Sequence, residues 1–313
     1  MKKLAMTGVT GQKSGGAFAR ELRENAAAVE VLFPDGLRAL VRPTSDTAAL
    51  ERTLPGVELC RGDFTDLSFL TQSLRGVDTL VHIAGIHSSR ALARAAADAG
   101  VRRLILVHTT GIYSKYKAAG EEYRRTDEFV YEMCRQSGIV LTILRPTMIY
   151  GNLSDHNVIT FVRMVDRLPV MPVVSGARFA LQPVHYLDLA HAYCQVLLHE
   201  AETADQDFNL SGAEPILLRD MLTQIGQCLG KTVHFFSVPF PAAYAGAVCL
   251  YALSGKRMDY REKVQRLCEP RVFSHEAASS AFGYAPRTFA EGVAPEVQEY
   301  QKAKAAGQGR KMD

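Results

Sequence analysis

The chain has 313 residues, 47% of them hydrophobic, and sets 36 Lys and Arg against 33 Asp and Glu for a formal charge of +3. That length allows one large or two smaller cores, while so small and dispersed a charge, with no basic stripe interleaved with aromatics, excludes a nucleic-acid partner. The six cysteines (Cys60, Cys134, Cys194, Cys228, Cys249, Cys268) show neither C-x-x-C spacing nor a His/Cys cluster, so reduced thiols in a cytoplasmic protein are expected.

From the N-terminus, Met1-Lys2-Lys3 is followed by only Leu4-Ala5-Met6 before Thr7-Gly8, too little apolar chain for a signal peptide. Apolar or β-branched runs at Lys3 to Thr7, Leu37 to Arg42, Val57 to Arg61, Thr79 to Ile83, Arg103 to His108 and Val140 to Leu144 predict six strands. Helical patterns near 16–25, 46–54, 66–74, 88–99 and 118–137 fall between them. This alternation predicts an α/β fold with a doubly wound parallel (Rossmann) sheet, whose ligand crevice lies beyond the carboxyl ends of the strands.

After about Gly151 the rhythm breaks into longer helices, Pro-rich links and isolated strands. The expected division is a dinucleotide-binding domain over 1–150 and a mainly helical substrate lobe over 151–301, not strictly a separate core. A polar, frayed tail over 302–313 follows. Residues 235–253 (FFSVPFPAAYAGAVCLYAL) are the most apolar stretch, yet Pro239 and Pro241 leave too short a run for a spanning helix of ~20 residues. A buried or lid helix is expected there, and no membrane partner.

The first loop, Thr7-Gly8-Val9-Thr10-Gly11-Gln12-Lys13-Ser14-Gly15-Gly16, separates a strand from the helical run AFARELREN. Glycines let the backbone approach a diphosphate closely, and a helix N-terminus offers unpaired N–H donors and positive dipole to that anion. A mononucleotide or dinucleotide is the ligand this chemistry suits.

Thr7-Gly8-Val9-Thr10-Gly11 resembles the opening of the TGxxGxxG signature of extended and atypical short-chain dehydrogenases/reductases, the NAD(P)-dependent epimerase/dehydratase family. The resemblance continues in order through RGDFTD (61–66), LVHIAG (80–85), LILVHTTGIY (104–113), TILRPTMIYG (142–151), QPVHYLDLAHAY (182–193), FNLSGAEPI (208–216) and FGYAPRTFAEGV (282–293). One departure is that Ser14 stands at the family's third glycine, with Gly15 and Gly16 one and two positions late. Lys13 and Ser14 can add side-chain contacts to phosphate. The resemblance also implies that Asp63 and Phe64 border the adenine, although a loop cap competes for Asp63. By the same likeness, Ala84 and Gly85 line the cofactor, and Pro146 and Thr147 pass its nicotinamide end.

A basic residue at the end of the second strand accommodates the extra phosphate of NADP, whereas an acidic one selects NAD. Arg42 after Leu37 to Val41 favours NADP(H) over NAD(H). A competing alignment takes Val29 to Phe33 as the strand and puts Asp35 at the selecting position. The Arg42 reading is preferred because Asp35-Gly36 suits a turn.

Relatives carry a Ser/Thr after the fifth strand and a Tyr-x-x-x-Lys pair on the next helix, the Tyr moving a proton while the Lys lowers its pKa. The resemblance implies Thr109 and Thr110 for the first and Tyr113 and Lys117 for the second. That pair follows the threonines almost at once, where extended relatives have an intervening loop. Either the helix begins early and the pair acts, or the pair is absent; Tyr123, Arg124 and Tyr150 are reserves. His185 is read as a hydrogen-bonded structural residue in preference to a ligand contact, Asp188 as an acid in a first helical turn. Asp155, His156 and His191 lack metal-site spacing, so no metal is expected.

The resemblance therefore implies an NAD(P)-dependent oxidoreductase or epimerase/dehydratase-like enzyme acting on a hydroxyl or carbonyl centre of a small molecule, a nucleotide sugar for instance, with room for a homodimer. Two alternatives stay open. One is a non-catalytic NADP(H)-binding redox sensor or regulator, the other a carbonyl or double-bond reductase lacking the Tyr/Lys pair.

Overall fold

The computed structural model describes residues 2–116 and 118–307. In chain order the first half runs β1 (Leu4–Thr7), α1 (Ser14–Glu24), α2 (Ala26–Leu32), β2 (Leu37–Val41), α3 (Ala48–Thr53), β3 (Glu58–Arg61), α4 (Leu67–Leu74) and β4 (Thr79–His82). Then come α5 (Ser89–Ala99), β5 (Arg103–Val107), α6 (Gly120–Ser137), β6 (Val140–Pro146) and β7 (Ile149–Tyr150). The second half holds α7 (Val158–Arg167), β8 (Met171–Val174), β9 (Ala180–Leu181), β10 (Val184–His185), α8 (Tyr186–Leu198), α9 (Glu200–Thr203), β11 (Gln206–Leu210) and β12 (Ile216–Leu217). It closes with α10 (Leu218–Cys228), β13 (Phe235–Val238), α11 (Phe240–Leu253), α12 (Arg261–Leu267), α13 (Glu276–Phe282) and α14 (Phe289–Ala305).

The six predicted strands form, and a seventh joins them: the parallel sheet is ordered β3-β2-β1-β4-β5-β6-β11. Strand direction of progression reverses between β1 and β4, which opens the crevice that an α/β sheet offers a ligand. Both faces are covered, as the continuous apolar character of these strands requires. One face packs against α1 and α8 through Phe18, Leu22, Tyr193 and Val196, and the other against α4, α5 and α6 through Leu70, Leu92 and Val130. A third cluster, with Val162, Leu222 and Val293, binds α7, α10 and α14 into the smaller lobe.

Local signals set the boundaries. Asp66 caps α4 by accepting from the N–H groups of Ser68 and Phe69, and Gly138 ends α6 in the left-handed region at φ 66°. β6 stops at Pro146, as expected of a residue with no N–H to continue the ladder.

Residues 26–32 are helical, so the competing second strand at Val29 to Phe33 does not exist and the preferred strand from Leu37 stands. Two expectations need correction. The apolar stretch forms β13 and α11, but only Ala247 of α11 is buried, so this helix is not core. And α14 continues past Lys302 to Ala305, with Lys304 hydrogen-bonded to Asp166 at 2.5 Å, so helix enters the first part of the segment expected to fray, while 308–313 of that segment lie outside the described residues. Among the described residues no helix is long and apolar enough to cross a membrane.

Candidate functional site

The loop between β1 and α1 is built by close backbone approaches. Gly8 sits at φ +78°, and a Cβ on it would lie 2.8 Å from the Ala84 nitrogen of the next loop. Its carbonyl accepts from the Gly11 N–H at 3.1 Å, and the Gly11 carbonyl accepts from Gly16 at 2.9 Å. A Cβ on Gly15 would stand 2.0 Å from the Gly8 oxygen. The third obligatory glycine is therefore Gly15, and Ser14, at the family position, is buried at the start of α1. At its N-cap position α1 has Lys13, with no side-chain cap and no acid in the first turn. Apart from the Gly16 N–H, held by the Gly11 carbonyl, its leading N–H groups and positive dipole end are thus left for an anion. Across the loop mouth, Gln12 is held by Asn152 and Ser154, the first donating to its carbonyl at 3.2 Å and the second to its amide oxygen at 2.5 Å.

The facing loop after β4 carries Ala84 and Gly85, the latter at φ +109°. Its shape is fixed by His82, which is fully buried. His82 Nε2 donates to the Gly85 carbonyl at 2.8 Å, so Nδ1 carries no proton and accepts from the Thr7 hydroxyl at 2.6 Å. Burial pushes the His82 pKa down to about 4, and the ring stays neutral. His82 was missed in the sequence, where LVHIAG reads as an ordinary buried strand.

Arg42 lies just past the carboxyl end of β2, exposed, and Asp35 lies in the turn before that strand, where it accepts from the Lys2 N–H at 2.6 Å. The acidic selecting position required by the competing alignment is therefore not formed. The Asp63 carboxylate accepts from the Thr65 N–H at 2.9 Å, which holds its pKa below the usual range; this is the loop cap. Phe64 packs against the core face under α4 and α5.

A cleft of about 690 Å³ joins this groove to the smaller lobe, and Lys13, Thr109, Thr110, Tyr113 and Thr147 all line it. The Thr109 hydroxyl accepts from the Gly111 N–H at 3.0 Å and the Thr110 hydroxyl donates to the Pro146 carbonyl at 3.1 Å. Tyr113 is half exposed, its ring 5.4 Å from that of Phe273. It ends a short 3₁₀ turn over Thr110–Tyr113, and α6 begins only at Gly120, so the helix does not start early. Lys117 lies outside the described residues. Tyr123 packs edge-on to His87, Arg124 pairs with Glu121 and the Ile112 carbonyl, and Tyr150 is buried beneath α14; none of these reserves lines the cleft.

Cations dominate the far wall. Arg266 and Arg271 line it with Lys115, against the single carboxylate of Glu269, which is already engaged by the Ser114 hydroxyl at 2.6 Å and the Lys115 N–H at 2.8 Å. Burial, reinforced by Arg266, lowers the Arg271 pKa to about 10, and the buried Nε atoms of both arginines lack partners. Such a wall suits an anionic group on the ligand. No periodic cue points to it, because Glu269 and Arg271 lie in the loop 268–275 that follows α12.

Behind the threonines runs a buried polar chain. His108 contacts Asp127 at 2.7 Å and Ser89 at 2.9 Å, and Arg145 bridges Asp127 and Asp207 at 2.6 Å each. It ties the end of β5 to α5, α6, β6 and β11. His185, as the sequence suggested, is structural: its Nδ1 accepts from the Leu187 N–H at 3.3 Å to cap α8, wedged between Tyr150 and Tyr186. Asp188, in the first turn of α8, pairs with Arg287 at 2.8 Å. Among the described residues no group of His, Cys, Asp and Glu is placed to hold a metal.

A family model described as NAD(P)H-binding matches residues 14–163. Among curated proteins the chain is 23% identical over 279 residues to N-acetyl-alpha-D-glucosaminyl-diphospho-ditrans,octacis-undecaprenol 4-epimerase of Escherichia coli O157:H7, covering 78% of this chain and 84% of that one. Among solved structures it superimposes on a dTDP-glucose 4,6-dehydratase from Streptomyces venezuelae with NAD bound, at TM-score 0.72, 20% identity and coverage of 97% and 98%. It likewise superimposes on an NADPH-dependent quinone oxidoreductase from Escherichia coli complexed with NADPH, at TM-score 0.68, 21% identity and coverage of 93% and 98%.

Proposed function

We propose that this chain, which resembles the extended and atypical short-chain dehydrogenases/reductases of the NAD(P)-dependent epimerase/dehydratase family, is an NADP-preferring enzyme interconverting a hydroxyl and a carbonyl on a small substrate that carries an anionic group such as a sugar-linked diphosphate. The observation that carries this reading is one continuous groove, with the unpaired end of α1 at one side and a cationic wall at the other.

The residues present fit the dinucleotide. Gly8, Gly11 and Gly15 permit close backbone approach, Gly16 closes the loop on the Gly11 carbonyl, and Ser14 with the remaining N–H groups at the start of α1 supplies donors. Thr10 and Lys13 lie beside that turn, and Ala84 and Gly85 form the opposite wall. Arg42 faces the position where the 2′-phosphate distinguishes the two coenzymes, and Pro146 and Thr147 border the nicotinamide end. When bound, the nicotinamide supplies or accepts hydride. Thr109 and Thr110 hold the substrate oxygen, and Tyr113, presented by the 3₁₀ turn, moves the proton at its phenol oxygen. Arg266 and Arg271 grip the anionic part of the substrate. A second reading, a reductase that draws its proton elsewhere, is favoured by the position of Tyr113 ahead of α6.

Titration with NADPH and NADH tests the cofactor assignment: NADPH binds at least about tenfold more tightly, and Arg42→Ala removes that difference, a charge-assisted contact being worth ~1.5–3 kcal/mol. Equal affinities in the native chain refute it. In turnover assays with sugar nucleotides and quinones, Tyr113→Phe lowers kcat by about 100-fold or more with NADPH affinity intact; unchanged turnover assigns the second reading.

A further inference from the structure

We propose that α11 and the basic turn after it dock the protein onto an anionic phospholipid surface, an interaction beyond the reading above and independent of it. From Phe240 to Leu253 the helix has no charged side chain. Ala243, Tyr244, Ala247 and Tyr251 lie toward the protein, buried or half-buried, whereas Ala242, Ala245, Gly246, Val248, Cys249, Leu250 and Leu253 are exposed. Leu253 is 87% exposed and Phe236, on the preceding β13, 62%. An apolar helix of 14 residues spans ~21 Å, too short to cross a bilayer, and left in water it exposes a continuous apolar face that a folded chain otherwise covers.

The charge that follows says what covers it. Lys256, Arg257, Arg261 and Lys263 follow the helix within ten residues, and the acids beside them are engaged, Asp259 by Arg261 at 2.7 Å and Glu262 by Arg266 at 3.7 Å. Lys256, Arg257 and Lys263 are thus the surplus at one end of the apolar face, and Tyr251 and Tyr260 lie beneath Arg261 and Lys263 in cation–π contact at 4.0 and 5.0 Å. Apolar face, the exposed flanking Tyr260 and terminal cations are the three parts of an interfacial anchor: acyl chains take the face, the headgroup layer the Tyr260 ring, and anionic lipid the cations. α12 links this face to the cleft, carrying Arg261 against α11 at one end and Arg266 on the cleft wall at the other. The mouth of the cleft therefore opens beside the membrane.

Sedimentation of the full chain with vesicles decides the matter. Binding to vesicles containing about 30% phosphatidylglycerol exceeds that to pure phosphatidylcholine by about tenfold or more, and falls when salt rises from ~0.1 to ~1 M. Leu250→Asp/Leu253→Asp abolishes it, and Lys256→Glu/Arg257→Glu reduces it severalfold, while melting temperature and NADPH affinity are unchanged in both. No sedimentation with anionic vesicles, or sedimentation insensitive to both variants, overturns the proposal. So does a self-associated native protein, by light scattering, that Leu253→Asp converts to monomer without any vesicle binding, since the face would then belong to a second copy.

Discussion

Gly15 concentrates the argument about the nucleotide loop into one missing methyl group. With the Gly8 oxygen 2.0 Å from where a Cβ would stand, Gly15→Ala forces α1 and the loop apart, whereas at Gly11 the same oxygen is 3.1 Å away. Gly15→Ala is expected to weaken NADPH binding by about 100-fold, equivalent to ~3 kcal/mol, and Gly11→Ala by much less; calorimetric titration of both ranks them, and the reverse ranking refutes the geometry. Residues of this kind are legible in a sequence because their spacing is imposed by the backbone. Those whose role depends on distant partners are not. His82 meets Thr7 from another strand, and Arg271 gains its character from burial beside Arg266.

Among elements, the alternating strands and helices could be read because burial on both sheet faces leaves apolar runs of strand length. β11 escaped because Gln206–Leu210 is short and largely polar at its start, and its place is set by the free edge of β6, not by its own pattern. α2 was ambiguous because its Val29 and Val31 suit a strand as well. For α11 the alternatives of buried or lid helix stayed open in the sequence because apolar composition cannot say which faces have partners, and the buried one fails. Between elements, Asp127 of α6 is the joint: it receives Arg145 at 2.6 Å and His108 at 2.7 Å, all three buried. Asp127→Ala leaves an arginine and a histidine short of partners, and is expected to cost about 3–5 kcal/mol in urea unfolding, with Asp127→Asn costing less; a loss under ~1 kcal/mol would show that Asp207 alone suffices.

For the molecule as a whole, the join between the two halves is sensitive to protons. Glu296 of α14 is fully buried and accepts from the Gly151 N–H at 3.1 Å, facing the buried carboxyl of Asp155. Glu296 Oε1 and Asp155 Oδ2 have no other partner, and one proton held between them satisfies both. Burial and Asp155 push the Glu296 pKa up to about 10 from 4.5. The folded chain thus keeps a proton that the unfolded chain releases, so this contribution is complete below about pH 4.5 and is lost as pH climbs toward 10. Unfolding free energy is expected to decline between about pH 5 and 9, and Glu296→Gln to flatten that decline and stabilise the protein at pH 8 by ~1–3 kcal/mol. A variant with the native slope would place the titration elsewhere.

The seventh strand sets the schedule on which the protein emerges from the ribosome. When the first 150 residues have been made, the outer edge of β6 has no neighbour and the apolar side of α1 is bare, because β11 and α8 are still unsynthesised. A nascent chain at that stage presents an open strand edge to every other nascent chain nearby. Only after Leu210 does translation deliver the pieces that close it, so a stalled or truncated product ending between those points is the form most prone to aggregate.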